Sequence, residues 1–205
     1  MIRKLAMVIF IIGFGLFAYS GWQYYEAMQS VEEIPKAAQS KSSDAPMRTI
    51  ETTSLDSVDS FKEPLTLNYD INKGEKVATL DIPGIGKRFS TYWGTDAQTL
   101  GKGVGMYVSK WTTVPNREGG HTVLSGHRDT VFTGLGELGE GDTLDVHYDG
   151  ETYTYEIEKT WITDAQDRSV IVKKDEPTLT LTTCYPFDYI GYAPDRYIVE
   201  AKLVE

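Results

Sequence analysis

One cysteine and one arginine near the end of the chain have the types and the spacing of a chemical site. Cys184 is the only cysteine among 205 residues, and Arg196 follows it by twelve positions. A thiol with a pKa of about 8.5 is only about 3% thiolate at neutral pH, so a nucleophilic cysteine needs a base or a positive neighbour. A guanidinium keeps its charge and can stabilise an oxyanion or orient a substrate carbonyl. The pair is therefore suited to nucleophilic attack on a carbonyl group.

Three histidines could supply the base. His147 lies on the polar face of a predicted hairpin strand and is interpreted as solvent-facing, and His121 starts a strand after two glycines. His127 follows a strand at a sharp Ser-Gly turn, which would project its ring from the edge of a sheet. His127 is therefore the candidate proton shuttle for Cys184, with Arg196 as the charge-stabilising group. Spacing alone leaves open an inert buried cysteine with a surface histidine and arginine.

Two predicted strands position the cysteine and the arginine. Residues 178–183 alternate polar and apolar and are rich in threonine, which places Leu179 and Leu181 on the core face and Cys184 on the opposite face. After a loop broken by proline and glycine, a second alternating strand begins at Arg196 on its polar face. If the two strands pair antiparallel, the thiol and the guanidinium meet at one edge of the sheet.

Further short strands are predicted to complete the folded part. Residues 78–82, 87–93 and 121–125 have strand patterns, and residues 142–162 form the clearest hairpin. A helical turn with Val131, Phe132 and Leu135 facing inward is predicted between the last of these strands and the hairpin. Residues 161–178 are predicted to form a long loop beside the site. Seven or eight short strands with one or two short helices indicate a mostly β fold, most economically a closed or nearly closed barrel.

The N-terminus has a different composition. Residues 5–25 contain no charged side chain and follow Arg3 and Lys4. A membrane-crossing helix needs about 20 apolar residues, so we predict a transmembrane anchor in residues 1–25, with the N-terminus in the cytoplasm. A cleaved signal peptide is the alternative, because small residues at 18 and 20 have the spacing of a cleavage site.

The remaining chain divides into two predicted parts outside the cytoplasm. Residues 26–62 are rich in serine, threonine and charged residues and are predicted to be a stalk. Residues 63–205 are predicted to be the catalytic domain. A net charge of −10 argues against nucleic acid as a partner. The single cysteine and the scattered histidines lack paired ligand spacing, so neither a metal site nor a cofactor is predicted.

Taken together, these motifs resemble the sortase family. The segments TLTTCYPFDYIGYAPDRYIV and SGHRDTVF, with an N-terminal anchor, are most similar to class D sortases of Gram-positive bacteria. The resemblance spans roughly residue 75 to the C-terminus. It implies an eight-stranded β-barrel and a catalytic triad of His127, Cys184 and Arg196. Related sequences often carry a second histidine where this chain has Met106, and an asparagine where it has His121.

The resemblance also implies a function and partners. Surface proteins would carry a sorting signal of the LPXTG type, which is cleaved between threonine and glycine, and the acyl group would pass to an amine of the cell-wall precursor. The chain is then a membrane-anchored cysteine transpeptidase, a thiol-dependent enzyme of the cell wall. Two alternatives stay open at this point: a cysteine peptidase that only hydrolyses its substrate, and a non-enzymatic β-domain that binds wall or protein partners.

Overall fold

The computed structural model describes residues 2–34, 71–188, 191 and 193–205. Two α-helices lie in these ranges, α1 (Ile2–Gln29) and α2 (Ala97–Leu100), with 3-10 turns at Pro83–Ile85 and Leu135–Glu137. The strands are β1 (Val31–Glu33), β2 (Lys76–Ile82), β3 (Lys87–Trp93), β4 (Val104–Met106), β5 (Gly120–Ser125), β6 (Thr143–Tyr148), β7 (Glu151–Asp164), β8 (Pro177–Tyr185) and β9 (Asp195–Leu203).

Eight of the strands form a closed barrel. Their order is β3-β2-β6-β7-β9-β8-β5-β4, and β3 pairs with β4 to close the ring. The pairs β3–β4 and β5–β8 are parallel, and the other pairs of the barrel are antiparallel. Closure leaves the ring without free strand edges. An open sheet would expose such edges to pairing with other chains. The predicted mostly β, eight-stranded barrel is confirmed.

The alternation of residue types along the strands fixes which side chains fill the barrel. Leu179 and Leu181 of β8, and Val199 and Ala201 of β9, are fully buried, as period-two alternation predicts. Their burial also fixes the strand register, because a slip by one residue would turn every one of these side chains outward. The chemistry-bearing residues of β8 and β9 are therefore held on the outer face.

Between β5 and β6 the predicted helical turn is only partly realised. The three predicted inward residues, Val131, Phe132 and Leu135, are fully buried. The backbone, however, forms turns and a 3-10 turn at Leu135–Glu137. Gly134 precedes that turn with φ 89°, a left-handed conformation that interrupts a regular helix and that glycine adopts without strain.

The predicted hairpin is present, but its second strand is longer than expected. Asp149 and Gly150 form the turn with φ 50° and 81°, as a tight turn with two left-handed residues requires. β7 continues to Asp164 because it pairs with β9 along its whole second half. The loop predicted at residues 161–178 is therefore reduced to residues 165–176.

The N-terminal part differs from the prediction in two respects. Within the described ranges, no helix is both long enough and apolar enough to cross a membrane, so the transmembrane anchor is not confirmed. The stalk predicted at residues 26–62 begins with ordered structure: β1 pairs antiparallel with β3, and Ile34 is buried and donates its amide to the Gly86 carbonyl at 2.9 Å. Residues 35–62, and the predicted domain boundary at residue 63, lie outside the described residues.

Candidate active site

The barrel places the thiol and the guanidinium of the predicted site side by side. β8 and β9 pair antiparallel, with Cys184 directly opposite Arg196. Directly opposite residues share one face of the sheet, and their Cβ atoms lie about 4.5–5.5 Å apart. The same register pairs Leu181 with Val199 in the core, so core packing determines which residue faces Cys184. The predicted antiparallel pairing is confirmed, and it brings the two residues together where β8 ends and β9 begins, at one end of the barrel.

The end of β5 brings His127 to the same end of the barrel. β5 runs parallel to β8, with Ser125 opposite Thr182. The Gly126 amide donates to the Thr182 carbonyl at 3.2 Å, and the Thr183 hydroxyl donates to the Gly126 carbonyl at 2.7 Å. The turn is thus fastened to β8 at the residue before the cysteine. His127 follows immediately and is exposed.

His127, Cys184 and Arg196 all line one groove of about 440 Å³. Cys184 is a free thiol and is partly exposed, so its sulfur is accessible from the groove. The groove is lined further by apolar side chains from α2, β9 and the loop between β7 and β8, and by polar groups along its rim. These lining residues are Leu100, Val170, Ile171 and Ile198, and Thr95, Tyr107, Thr163, Asp164 and Asp167.

Arg196 is oriented by the chain that leads into its own strand. Its Nη1 donates to the carbonyls of Ala193, at 3.2 Å, and Asp195, at 2.8 Å. Charge-assisted hydrogen bonds of this kind hold the planar guanidinium in a defined direction. Across the sheet, Thr163 of β7 lies opposite Arg196, so the arginine sits between the cysteine strand and the groove wall formed by the end of β7.

A second arginine in this region was not assigned a role by the sequence. Arg128 is only 9% exposed. Its Nη1 donates to the Pro186 carbonyl at 2.6 Å, and its Nη2 donates to the Gly191 carbonyl at 3.0 Å. The only signal in the sequence is its place directly after His127, and a charged residue in a turn is ordinarily exposed.

Comparison with known proteins agrees with this architecture. The sequence model described as the Sortase domain matches residues 80–204. The chain belongs to the sortase family. It is 39% identical over 204 residues to "Sortase D" of Bacillus subtilis (strain 168), covering 98% of this chain and 99% of that protein. Sortases are cysteine transpeptidases, so this sortase is an enzyme of that general class.

Solved structures show the same relationship. The catalytic domain of B. anthracis SrtD is 66% identical, with a TM-score of 0.59 over 69% of this chain and 95% of that one. A Clostridium perfringens Sortase D5 transpeptidase is 30% identical, with a TM-score of 0.59 over 66% and 83%. C. perfringens sortase C with a C-terminal cell wall sorting motif is 26% identical, with a TM-score of 0.60 over 70% and 78%.

His121 is a buried residue that connects parts of the fold in this sortase. It is fully buried, with Nδ1 2.8 Å from the Val172 carbonyl oxygen and Nε2 2.7 Å from the Thr180 hydroxyl. A carbonyl can only accept, so Nδ1 carries the proton and Nε2 accepts from the hydroxyl. Burial lowers the pKa of His121; the nearby Lys174 lowers it further, while the Val172 hydrogen bond and Glu200 oppose this. His121 therefore links β5 and β8 to the β7–β8 loop as a neutral side chain.

An ion pair provides a second anchor for the β7–β8 loop. The Lys174 ammonium lies 3.0 Å from Glu200, which also pairs with Lys159 at 3.0 Å. Burial would raise the pKa of Glu200, but hydrogen bonds from Lys174 and Lys159 hold it below its usual value. Since Val170 and Ile171 of this loop line the groove, His121 and Glu200 support one wall of the candidate site from behind.

His147 lies away from the groove and is half-buried rather than freely solvent-facing. Its Nε2 is 3.2 Å from Asp81, and its Nδ1 is 2.9 Å from the Thr152 hydroxyl. Arg88 binds the same aspartate through two hydrogen bonds of 2.6 and 2.5 Å. Burial acts to raise the pKa of Asp81, but the hydrogen bonds from Arg88 and His147 lower it overall. His147 therefore lies on the outer face of its strand, as predicted, and belongs to a cluster around the Arg88–Asp81 ion pair.

The described residues contain no group of three or more histidine, cysteine, aspartate or glutamate side chains arranged to hold a metal ion. The structure places the three predicted site residues in one groove, and their catalytic roles remain predictions.

Proposed function

We propose that this sortase cleaves an LPXTG-like sorting signal between threonine and glycine and transfers the new acyl group to an amine of the cell wall. The observation that carries the proposal is the pairing of Cys184 with Arg196 in a groove that His127 also lines. The C. perfringens sortase C that shares the fold was solved with a C-terminal cell wall sorting motif, which supports the same class of substrate here.

The proposed reaction has two halves that pass through a thioester. His127 accepts the proton of the Cys184 thiol as the sulfur attacks the threonine carbonyl carbon, and the guanidinium of Arg196 stabilises the oxygen that becomes negative. His127 then gives that proton to the glycine nitrogen as the peptide C–N bond breaks and the C–S bond remains. An acceptor amine attacks the thioester and loses a proton to His127. The new C–N bond forms, the C–S bond breaks, and the released thiolate recovers its proton from His127.

The lining of the groove suits a peptide with both apolar and polar groups. Its apolar wall includes Val170 and Ile171, with Leu100 from α2, and can accept the leucine and proline side chains of the signal. The cysteine and the arginine occupy the polar face of β8 and β9. This separation, with apolar anchors beside a few fixed polar groups, is typical of sites that orient a ligand before reaction.

The proposed partners and location follow from this reaction. The acyl donors are surface proteins that carry the sorting signal, and the acceptor is a cell-wall precursor or peptidoglycan amine. Sortases are associated with the surface of Gram-positive cells, and we propose the outer face of the cell for this protein. We further propose that residues 63–205 form the catalytic unit, together with β1, which pairs with β3 of the barrel.

A peptide assay separates the proposed activity from the alternatives. The full-length protein, in mild detergent because α1 exposes large apolar side chains, is incubated with an LPXTG-containing peptide, with and without an amine acceptor. Mass spectrometry identifies the products. An amine-dependent ligation product supports the transpeptidase, and the same acid product at the same rate in both samples indicates a hydrolytic peptidase. An intact peptide together with an unreactive Cys184 thiol would contradict enzymatic activity on this signal.

A further inference from the structure

We infer that Arg128 is a positioning residue of the sortase reaction, because its guanidinium fixes the loop that joins Cys184 to Arg196. The inference rests on the proposed function. Arg128 would not touch the substrate. It would act by fixing the positions of the Cys184 thiol and the Arg196 guanidinium relative to His127, which directly precedes Arg128 in the chain.

The hydrogen bonds of Arg128 reach both parts of this loop. Pro186 lies two residues after Cys184, and Gly191 lies five residues before Arg196. Both carbonyls accept from the same guanidinium, at 2.6 and 3.0 Å. A guanidinium is planar and rigid, so binding two carbonyls through two of its nitrogens fixes their relative position.

Aromatic contacts hold the same loop against the barrel but fix its direction less strictly. The Phe187 ring packs edge-on against Tyr197 at 5.1 Å and against Tyr185 at 5.7 Å. Gly136 leaves room for this ring, because a Cβ there would come within 2.7 Å of it. Ring contacts of this kind have preferred geometries, but they act on side chains and leave the direction of the backbone carbonyls open. The directional constraint on the loop backbone therefore comes from hydrogen bonds such as those of Arg128.

The turn that carries Arg128 is itself fixed. The Phe132 amide donates to the His127 carbonyl at 3.0 Å, and the Thr133 hydroxyl donates to the Arg128 carbonyl at 3.3 Å. Phe132 is fully buried in the core. The backbone of Arg128 is thus fastened next to His127, while its side chain is fastened to the loop between Cys184 and Arg196. One side chain connects the three elements that carry the site.

The inference is tested with Arg128→Lys and Arg128→Gln in the full-length protein. Lysine keeps the charge but has one ammonium on a flexible stem, so it cannot hold both carbonyls in a fixed relation. We expect kcat to fall about 10- to 100-fold in both variants, the scale of a misplacement of about 1 Å, while KM changes by less than about threefold. Arg117→Lys is the matched control, since Arg117 is exposed and contacts Thr152, Glu151 and the Tyr153 ring, away from the groove.

A second readout does not depend on the peptide substrate. The rate of Cys184 alkylation by iodoacetamide is measured from about pH 5 to about pH 9, a range that covers the ordinary pKa values of histidine and cysteine. If Arg128 sets the position of the thiol beside His127, the variants shift this profile and the control does not. If the wild-type protein shows this pH profile of alkylation but cleaves no sorting peptide, the result contradicts the proposed function. It does not contradict the role inferred for Arg128.

The fraction of folded protein is measured by thermal unfolding in every sample. A purely structural role would lower the melting temperature yet leave kcat per folded molecule and the alkylation profile unchanged. That result with Arg128→Lys would overturn the inference. Failure of both variants to fold would also overturn it, since Arg128 would then belong to the stability of the barrel as a whole.

Discussion

Cys184 and Arg196 lie directly opposite each other on β8 and β9, although twelve positions separate them in the chain. This relationship depends on the core, because the same register pairs Leu181 with Val199 inside the barrel. A slip of one residue would expose the core side chains and would also separate the thiol from the guanidinium. The packing that makes the barrel stable therefore also fixes the geometry of the candidate site.

The first prediction concerns the nucleophile. Cys184→Ala removes the sulfur that would form the thioester, so turnover of the sorting peptide should be abolished. The side chain is small and lies on the groove face, so the melting temperature should stay close to that of the wild type. Peptide cleavage is measured by chromatography and folding by circular dichroism. Substantial cleavage by the folded variant would exclude Cys184 as the nucleophile.

The second prediction separates His127 from His147. His127→Ala removes the proposed proton shuttle, and kcat should fall by roughly 10²–10⁴, as expected for a positioned proton-transfer group. His147→Ala is the matched control: it disrupts a contact to Asp81 outside the groove and should leave kcat nearly unchanged. Steady-state kinetics of both variants decide the matter, and a larger loss for His147→Ala would show that the proposed site is misassigned.

The third prediction tests the arginine opposite the cysteine. Arg196→Lys keeps the charge but loses the planar guanidinium, so kcat/KM should fall by roughly 10²–10³, the scale of one lost oxyanion donor. Its guanidinium donates to the carbonyls of Ala193 and Asp195 in the adjoining chain, so thermal stability should change little. An exposed surface arginine would predict less than about a tenfold change. Kinetics within a few-fold of wild type would therefore remove Arg196 from the mechanism.

Most of the barrel could be predicted from the sequence because alternation marks its strands. The register of β8 and β9 followed from Leu179 and Leu181, and the face of Cys184 followed with it. β1 could not be predicted, since three mostly polar residues without alternation join β3 through backbone hydrogen bonds. α2 is equally inconspicuous: it has four residues and is capped by Asp96, whose Oδ1 accepts from the Thr99 amide at 3.1 Å.

The parts of the site that the sequence did not reveal are long-range contacts to loop carbonyls. Arg128 reaches Pro186 across 58 positions, and His121 reaches Val172 across 51. Such contacts join a side chain to a backbone group that every residue possesses, so they leave no periodic pattern and no characteristic residue at the partner position. The chemistry-bearing residues could be recognised by type, whereas the residues that position them could be recognised only in the folded structure.

The last prediction concerns the pH dependence of stability. Burial lowers the pKa of His121 below its ordinary value of 6.5, so below that pH the unfolded chain binds a proton that the folded protein does not. The contribution of neutral His121 to the free energy of unfolding is complete above pH 6.5. It is lost as the pH falls, and the free energy of unfolding then changes by at most about 1.4 kcal/mol per pH unit. The paired Glu200 acts in the same direction only below its ordinary pKa of 4.5, so the window of His121 begins at the higher pH.

Substitution of His121 should remove the upper window. His121→Asn keeps a donor and an acceptor for Val172 and Thr180 but does not titrate, so between about pH 7.5 and about pH 5 its free energy of unfolding should vary less than that of the wild type. The smaller side chain should also lower stability at neutral pH, because it leaves a cavity. Arg117→Lys serves as the control and should retain the wild-type pH dependence, because Arg117 is exposed and neither side chain titrates in this range. Urea unfolding at several pH values measures all three proteins, and an unchanged slope in His121→Asn would show that another group is responsible.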